Sequence, residues 1–201
     1  MSNKKEKYTK KEMQGMAINA ARELIFEGGP SNCSARKIAD KTNFTAGTLY
    51  NIFENFNEII IYVNISIYND LIKFIKPHVK QINLAKTSTE SMKHFAALYI
   101  IFLEENQNHW NSIINFQQKN QKVPEFYSGK IDEIMTIISN IFIEKANMSD
   151  DEAKRSAYII WAGLNGINSF TSHNNINKNT KSHILIEDFI ENYINGLIKK
   201  T

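Results

Sequence analysis

Thr45, Ala46, Gly47, Thr48, Tyr50 and Asn51 place small or hydrogen-bonding side chains within seven residues of one another. Such residues permit close approach to another surface and offer it donors and acceptors. At the start of a helix, free backbone N–H groups also favour phosphate. Ser34, Arg36 and Lys37, a little earlier, add a hydroxyl and two cations. These groups need rigid elements behind them. Ser34 is suited to cap a helix that runs to about Lys41. Thr42, Asn43 and Phe44 make a corner in which Asn43 can turn left-handed at low cost, and Thr45 caps a further helix through about Ile52. Each helix has about two turns and is too short to stand alone. Ile38, Phe44, Leu49 and Phe53 are spaced to meet between them, with Ala39 small enough to let the helices approach. This meets the mechanical requirement of a helix-turn-helix whose second helix enters a major groove. The same spacing also fits an ordinary helical hairpin that touches no nucleic acid.

The surrounding pattern is helical as well. Met13, Ala17, Ala20, Ala21, Leu24 and Ile25 recur at three- and four-residue spacing from Lys10 onward, and the run stops at Gly28, Gly29 and Pro30. An Ile-rich helix begins at Asn57 and Glu58 and ends near Lys76, before Pro77. Thr87 to Glu90 has the capping-box pattern and opens a helix through about Glu105. Shorter or longer helices follow from Trp110 to about Lys119 and from Phe126 to Ala146, with Pro124 at a first-turn position. Ser149 to Glu152 is a second capping box, leading a helix to about Ser172. After a polar loop at residues 174–179, Thr180 or Ser182 caps a last helix to about Lys199, where Lys199 and Lys200 face the negative end of its dipole. About nine helices result. With 3 Pro and 8 Gly in 201 residues, the expectation is an all-α protein of long, uninterrupted elements.

Composition narrows the class. Hydrophobic residues are 42% and charged residues 22%, ordinary values for a globular chain. No apolar run is long enough to span a bilayer, and the charged start leads into no secretory h-region, so no membrane partner is expected. One cysteine, Cys33, rules out an intrachain disulfide and suits a reducing compartment, which makes a cytoplasmic location the expectation. The net charge of +3 is unevenly spread. Through Phe56 there are nine Lys or Arg against six Asp or Glu, whereas the fifteen of each sign downstream cancel. All the excess positive charge lies in the first quarter, as expected when one end meets a polyanion.

Residues 10–60 resemble the N-terminal DNA-binding domain of the TetR family of transcriptional regulators. The resemblance rests on Ala20-Ala21-Arg22-Glu23-Leu24-Ile25, on Glu27, Gly29, Ser34, Ile38 and Ala39, and above all on Thr45-Ala46-Gly47-Thr48-Leu49-Tyr50-Asn51 with Phe53. It covers about a quarter of the chain. It implies a helix-turn-helix DNA-binding domain over residues 1–56, with a basic arm at 1–11, and a helical effector-binding and dimerisation domain over 57–201. By the same resemblance Thr45, Thr48 and Tyr50 contact phosphates, and Ala46, Gly47 and Asn51 lie near base edges. Arg36 and Lys37 flank the groove, and Ser34, Lys10 and Lys11 complete the DNA-binding set. Three positions depart from the family pattern: Asn43 for a usual Gly, Ile52 for a frequent His, and Phe56 for a Lys that commonly touches phosphate. The last two are expected to weaken backbone affinity.

For the remaining helices the resemblance implies a small-molecule effector and a homodimer. Tyr99, Trp110 and Trp161 are the aromatic candidates for the effector pocket. Trp161, Leu164, Ile186, Ile190 and Leu197, on apolar stripes of the last two helices, are the candidates for the dimer contact. His94, His109, His173 and His183 show neither i, i+4 pairing nor a Cys neighbour, so no metal or other cofactor is expected. No catalytic residues are expected either, because the chain has no HExxH, phosphate-binding glycine loop or nucleophile elbow. Two functions fit this reading: a repressor released from a palindromic double-stranded operator by an effector, or a family member with degenerate DNA contacts that acts mainly through other proteins.

Overall fold

The computed structural model describes residues 8–116, 125–172 and 182–198. Among them every regular element is helical: α1 (Lys10–Gly28), α2 (Ala35–Thr42), α3 (Ala46–Ile52), α4 (Phe56–Ile75), α5 (Val79–Leu84), α6 (Ser88–Glu105), α7 (Gln107–Asn115), α8 (Glu125–Ala146), α9 (Asp150–Ser172) and α10 (Ser182–Ile198). The nine expected helices are present and α5 is an addition. Pro77 ends α4 but not the helical course, because it sits in the first turn of a 3₁₀ segment, Lys76–His78, where its missing N–H costs no helix bond. Pro30 opens a similar turn, Pro30–Asn32, after Gly29 has left α1 at φ 74°.

The helix ends follow local chemistry. Thr9 caps α1 through a full capping box with Glu12, a device the sequence reading overlooked. Thr87 and Glu90 form the expected box ahead of α6, with Glu90 N–H donating to Thr87 Oγ1 at 3.1 Å. Ahead of α9, Ser149 donates its backbone N–H and hydroxyl to Glu152 Oε2 at 3.2 and 2.6 Å. Two expected starts shift. Asn55, not Asn57, caps α4: its Oδ1 accepts the Glu58 N–H at 3.0 Å, while Glu58 Oε2 accepts the N–H of Glu54 at 2.6 Å. The helix expected from Trp110 begins at Gln107. Lys119, Pro124, Thr180, Lys199, Lys200, His173, the 174–179 loop and the first seven residues of the basic arm lie outside the described residues.

The described residues pack as two compact units. The first holds α1, α2, α3, α4 as far as Ile67, and α7. Its core joins Ala17, Ala20, Ala21, Leu24 and Ile25 of α1 to Ile38 and Ala39 of α2 and to Leu49 of α3, all buried. Lys41 on α2 pairs with Glu23 at 2.9 Å and Glu27 at 3.2 Å on α1, and these carboxylates raise the lysine's pKa. α7 is tied to the C-terminal half of α1. Asn108 Nδ2 donates to the Phe26 carbonyl at 2.8 Å, and His109 Nε2 donates to that of Arg22 at 3.0 Å.

The second unit holds α4 from Tyr68 together with α5, α6, α8, α9 and α10. α8 packs along α9, and α10 lies against both α9 and α6. The crossing of α9 and α10 is close: a Cβ built on Gly163 would fall 2.2 Å from Phe189 Cζ. Ser91 Oγ, buried on α6, donates to the Ile82 carbonyl at 2.9 Å and ties α5 to α6. Among the described residues no helix is long and apolar enough to cross a membrane.

Candidate nucleic-acid interface

The second helix of the expected helix-turn-helix is α3, and its two sides are sharply divided. Leu49 and Ile52 are buried, as is Phe53 just beyond the helix, where its ring packs edge-on against Tyr62 with centroids 6.0 Å apart. Outward stand Thr45, Ala46, Gly47, Tyr50 and Asn51, with Thr48 partly covered. Tyr50 is 51% exposed, so its ring belongs to the surface and not to the core. The corner is built as its residues dictate. Asn43 takes the left-handed conformation at φ 56°, ψ 29°, and its N–H closes back on α2. Phe44 N–H then donates to the Ala39 carbonyl at 2.9 Å. Phe44 itself is half-buried while Ile38 and Leu49 are fully enclosed, so the last two carry most of the contact between the helices.

The caps fix the start of each helix. Ser34 Oγ accepts the Lys37 N–H at 3.3 Å, and Thr45 Oγ1 accepts the Thr48 N–H at 3.1 Å. Thr45 Oγ1 also lies 2.9 Å from Thr48 Oγ1, so the two hydroxyls form one polar group at the exposed end of α3. Ser34, Arg36 and Lys37 are exposed on α2, and Lys10 and Lys11 on the first turn of α1. Asn32 has a part that the sequence reading missed. Its Nδ2 donates to the Leu24 carbonyl at 2.8 Å, closing the end of α1, while its Oδ1 accepts from Lys37 Nζ and steadies that lysine. The only clue in the sequence was an amide just past a helix-ending Gly-Gly-Pro. Cys33, next to it, is buried, and burial pushes its thiol up to about 11 despite the nearby Lys37, so it stays protonated at neutral pH.

The arrangement can approach a duplex closely and donate to its phosphates, but it holds no nucleophile paired with a base. A family model for bacterial regulatory proteins of the tetR family matches residues 17–63. The N-terminal head is a TetR-family helix-turn-helix domain. The matched span takes in all of α2 and α3, the elements of the TetR head that carry the exposed polar face. No curated protein matches the chain by sequence. Solved structures match it by fold. A Rhodococcus sp. RHA1 protein of unknown function shares 12% identity at a TM-score of 0.72, over 97% of this chain and 98% of its own. A Mesorhizobium loti protein assigned to the TetR family shares 15% identity at 0.67, over 94% and 98%. The regulator FadR from Bacillus subtilis, solved with stearoyl-CoA, shares 19% identity at 0.61, over 90% and 96%. At these identities the likeness is one of fold, and the whole chain has the fold of TetR-family regulators.

Against the TetR pattern, one departure changes meaning. Ile52 is buried, so the replacement of a frequent His takes nothing from the exposed face of α3 and adds to the core of the head. Phe56 is half-buried in the first turn of α4.

The residues expected at an effector pocket belong to two units. Tyr99 and Trp161 meet in the second unit, with ring centroids 5.3 Å apart, and Tyr99 Oη donates to Asn165 Oδ1 at 3.1 Å. Trp110 is buried on α7, in the first unit. The residues expected at the dimer contact differ in exposure within the single chain. Leu164, Ile186 and Ile190 are fully buried within the single chain, because α10 packs on both α9 and α6, and they leave no surface for a partner. Trp161 and Leu197 are half-buried. The free side of α9 instead carries Tyr158, Ala162, Gly166 and Phe170, and that of α10 carries Ile184.

Proposed function

We propose that this chain is a transcriptional regulator that binds a palindromic operator as a homodimer and leaves it when a small molecule binds. The carrying observation is the exposed face of α3, where small and hydrogen-bonding residues sit on a helix held from behind by Leu49, Ile52 and Phe53. In this reading residues 1–56 form the DNA-reading head and 57–201 the effector-binding and dimerisation part. Thr45, Thr48 and Tyr50 contact phosphates, Ala46, Gly47 and Asn51 lie at base edges, and Ser34, Arg36, Lys37, Lys10 and Lys11 support them with polar and cationic groups.

The effector reading rests on Tyr99, Trp161 and Asn165, an aromatic cluster with a polar tip of the kind that binds apolar ligands bearing a few hydrogen-bonding groups. The stearoyl-CoA held by the structurally similar FadR agrees with a ligand of that character. An effector can release DNA only through its different affinity for the bound and released states. α4, which contributes residues to both compact units, is the lever in this proposal.

The test is a titration of duplex from the intergenic region beside the protein's own gene, carrying any inverted repeat found there. Thr48→Ala combined with Tyr50→Ala should weaken binding about tenfold or more, roughly 1.4 kcal/mol, on operator and random duplex alike, because phosphate contacts carry no sequence information. Wild-type affinity in the double variant would show that α3 does not face the DNA in this way.

A further inference from the structure

At one end of the second unit, the α8–α9 turn, the first half of α9 and the end of α10 enclose a pocket of about 650 Å³ that the effector reading does not use. Its volume lies within the range of small-molecule sites. Two cations lie in its lining. Lys145 Nζ donates to the Asn83 carbonyl at 2.7 Å and has no carboxylate partner among the described residues. Arg155 has no ion pair among them either. The pocket's one acid, Glu152, feels the charge of Arg155 a turn away but spends its hydrogen bonds on the Ser149 cap. Ser156, in the same lining, is buried, and among the described residues its hydroxyl donates to the Met148 thioether, 3.9 Å away and a weak acceptor. Ile159, Tyr193 and Leu197 supply an apolar wall, and Ile159 is 48% exposed.

Two cations without an ion pair among the described residues, a buried hydroxyl whose partner there is a thioether, and an apolar wall together describe the complement of one kind of molecule. We propose that this pocket is a second ligand site, which takes a small organic carboxylate with an apolar body. The carboxylate lies between Lys145 and Arg155, where a charge-assisted fork from the guanidinium is available. The apolar body covers Ile159 and Leu197, and the Ser156 hydroxyl gains an acceptor or donor better than sulfur. The site requires nothing of Tyr99 or Trp161, so it stands apart from the proposed effector cluster.

The experiment is calorimetric titration of the full chain with 2-naphthoate, and with 2-naphthamide as the uncharged counterpart. One naphthoate per chain is expected, with affinity that rises as salt is lowered. Arg155→Gln and Lys145→Gln should each weaken naphthoate about tenfold and leave the amide unchanged. Ile159→Trp should fill the pocket and abolish both, whereas Tyr99→Phe should affect neither. Arg155 is a surface residue, so its variant is not threatened by misfolding, and a thermal melt checks each protein. The proposal falls if naphthoate shows no saturable binding, if both glutamine variants bind it like wild type, or if binding follows Tyr99→Phe instead. It falls equally if Ile159→Trp leaves naphthoate binding intact and dissociates a dimer, because the pocket would then be a subunit contact.

Discussion

Gly47 lies on the exposed side of α3, where a Cβ would meet nothing nearer than Thr45 Oγ1 at 3.7 Å, an ordinary contact. The fold therefore does not require glycine there, and in a helix interior glycine costs about 1 kcal/mol relative to alanine. Gly47→Ala should leave the thermal midpoint unchanged or raise it. If Gly47 instead serves close approach to base edges, the same change should weaken operator binding. A stabilised variant with undiminished affinity would remove Gly47 from the interface. Gly163 is the opposite case. There a methyl group would run into the Phe189 ring at 2.2 Å, so Gly163→Ala should destabilise by about 1–3 kcal/mol, as overpacking does. Phe189→Leu in the same chain should recover part of that loss in a denaturant titration, since the clash is with the ring. Additive effects would place the cost elsewhere.

At the scale of elements, the caps make stability depend on pH. Hydrogen bonds from the Thr9 backbone and side chain hold Glu12 below the usual carboxylate range, and those from the Ser149 hydroxyl and backbone do the same for Glu152. A carboxylate with a lowered pKa in the folded state stabilises fully above its unfolded value, about 4.3, and loses that contribution as pH falls through the lowered value. The starts of α1 and α9 should therefore fray in acid before the helix interiors melt. Amide exchange near Thr9 and Ser149 should quicken as pH falls below about 4, after correction for the intrinsic rate, and Glu12→Gln should remove the change at Thr9 alone. Equal protection of helix ends and interiors down to global unfolding would contradict this.

At the scale of the whole molecule, reading a palindrome requires two heads about one duplex turn apart, roughly 34–36 Å, and hence two copies of the chain. Under the proposed function, the surface offered for that contact is the free row of α9. Tyr158, Ala162, Gly166 and Phe170 follow at four-residue spacing and are exposed, and beyond the adjacent residues and backbone of its own helix no described atom lies within 4 Å of a Cβ built on Gly166. On that proposal, an exposed helical glycine in the row gives a second helix room to approach. Gly166→Arg should therefore leave the chain folded, give monomers in sedimentation at micromolar concentration, and reduce operator binding. A dimer that survives this change would move the contact to another face. Charge at Ile190 would be a poor test, because it would be buried in the chain's own core.

What the sequence determined by itself is what neighbours within about four residues decide. The Ser34 and Thr45 caps, the left-handed Asn43, the two expected capping boxes and the division of α3 into inner and outer faces all follow from side-chain chemistry and helical period. The helix-turn-helix was legible for that reason. α5 and the Asn55 cap were also local, but a proline and a competing asparagine obscured them. Tertiary structure alone decided which apolar residues meet which partner. The stripes on α9 and α10 are wider than one contact, and period cannot say whether α6 or a second copy covers Ile186 and Ile190. Nor could it show that Ile52 turns inward, that Trp110 sits in a different unit from Tyr99 and Trp161, or that Lys145 and Arg155 share a pocket. Burial depends on elements far away in the chain, and a local pattern records only that a face is apolar, not what lies opposite it.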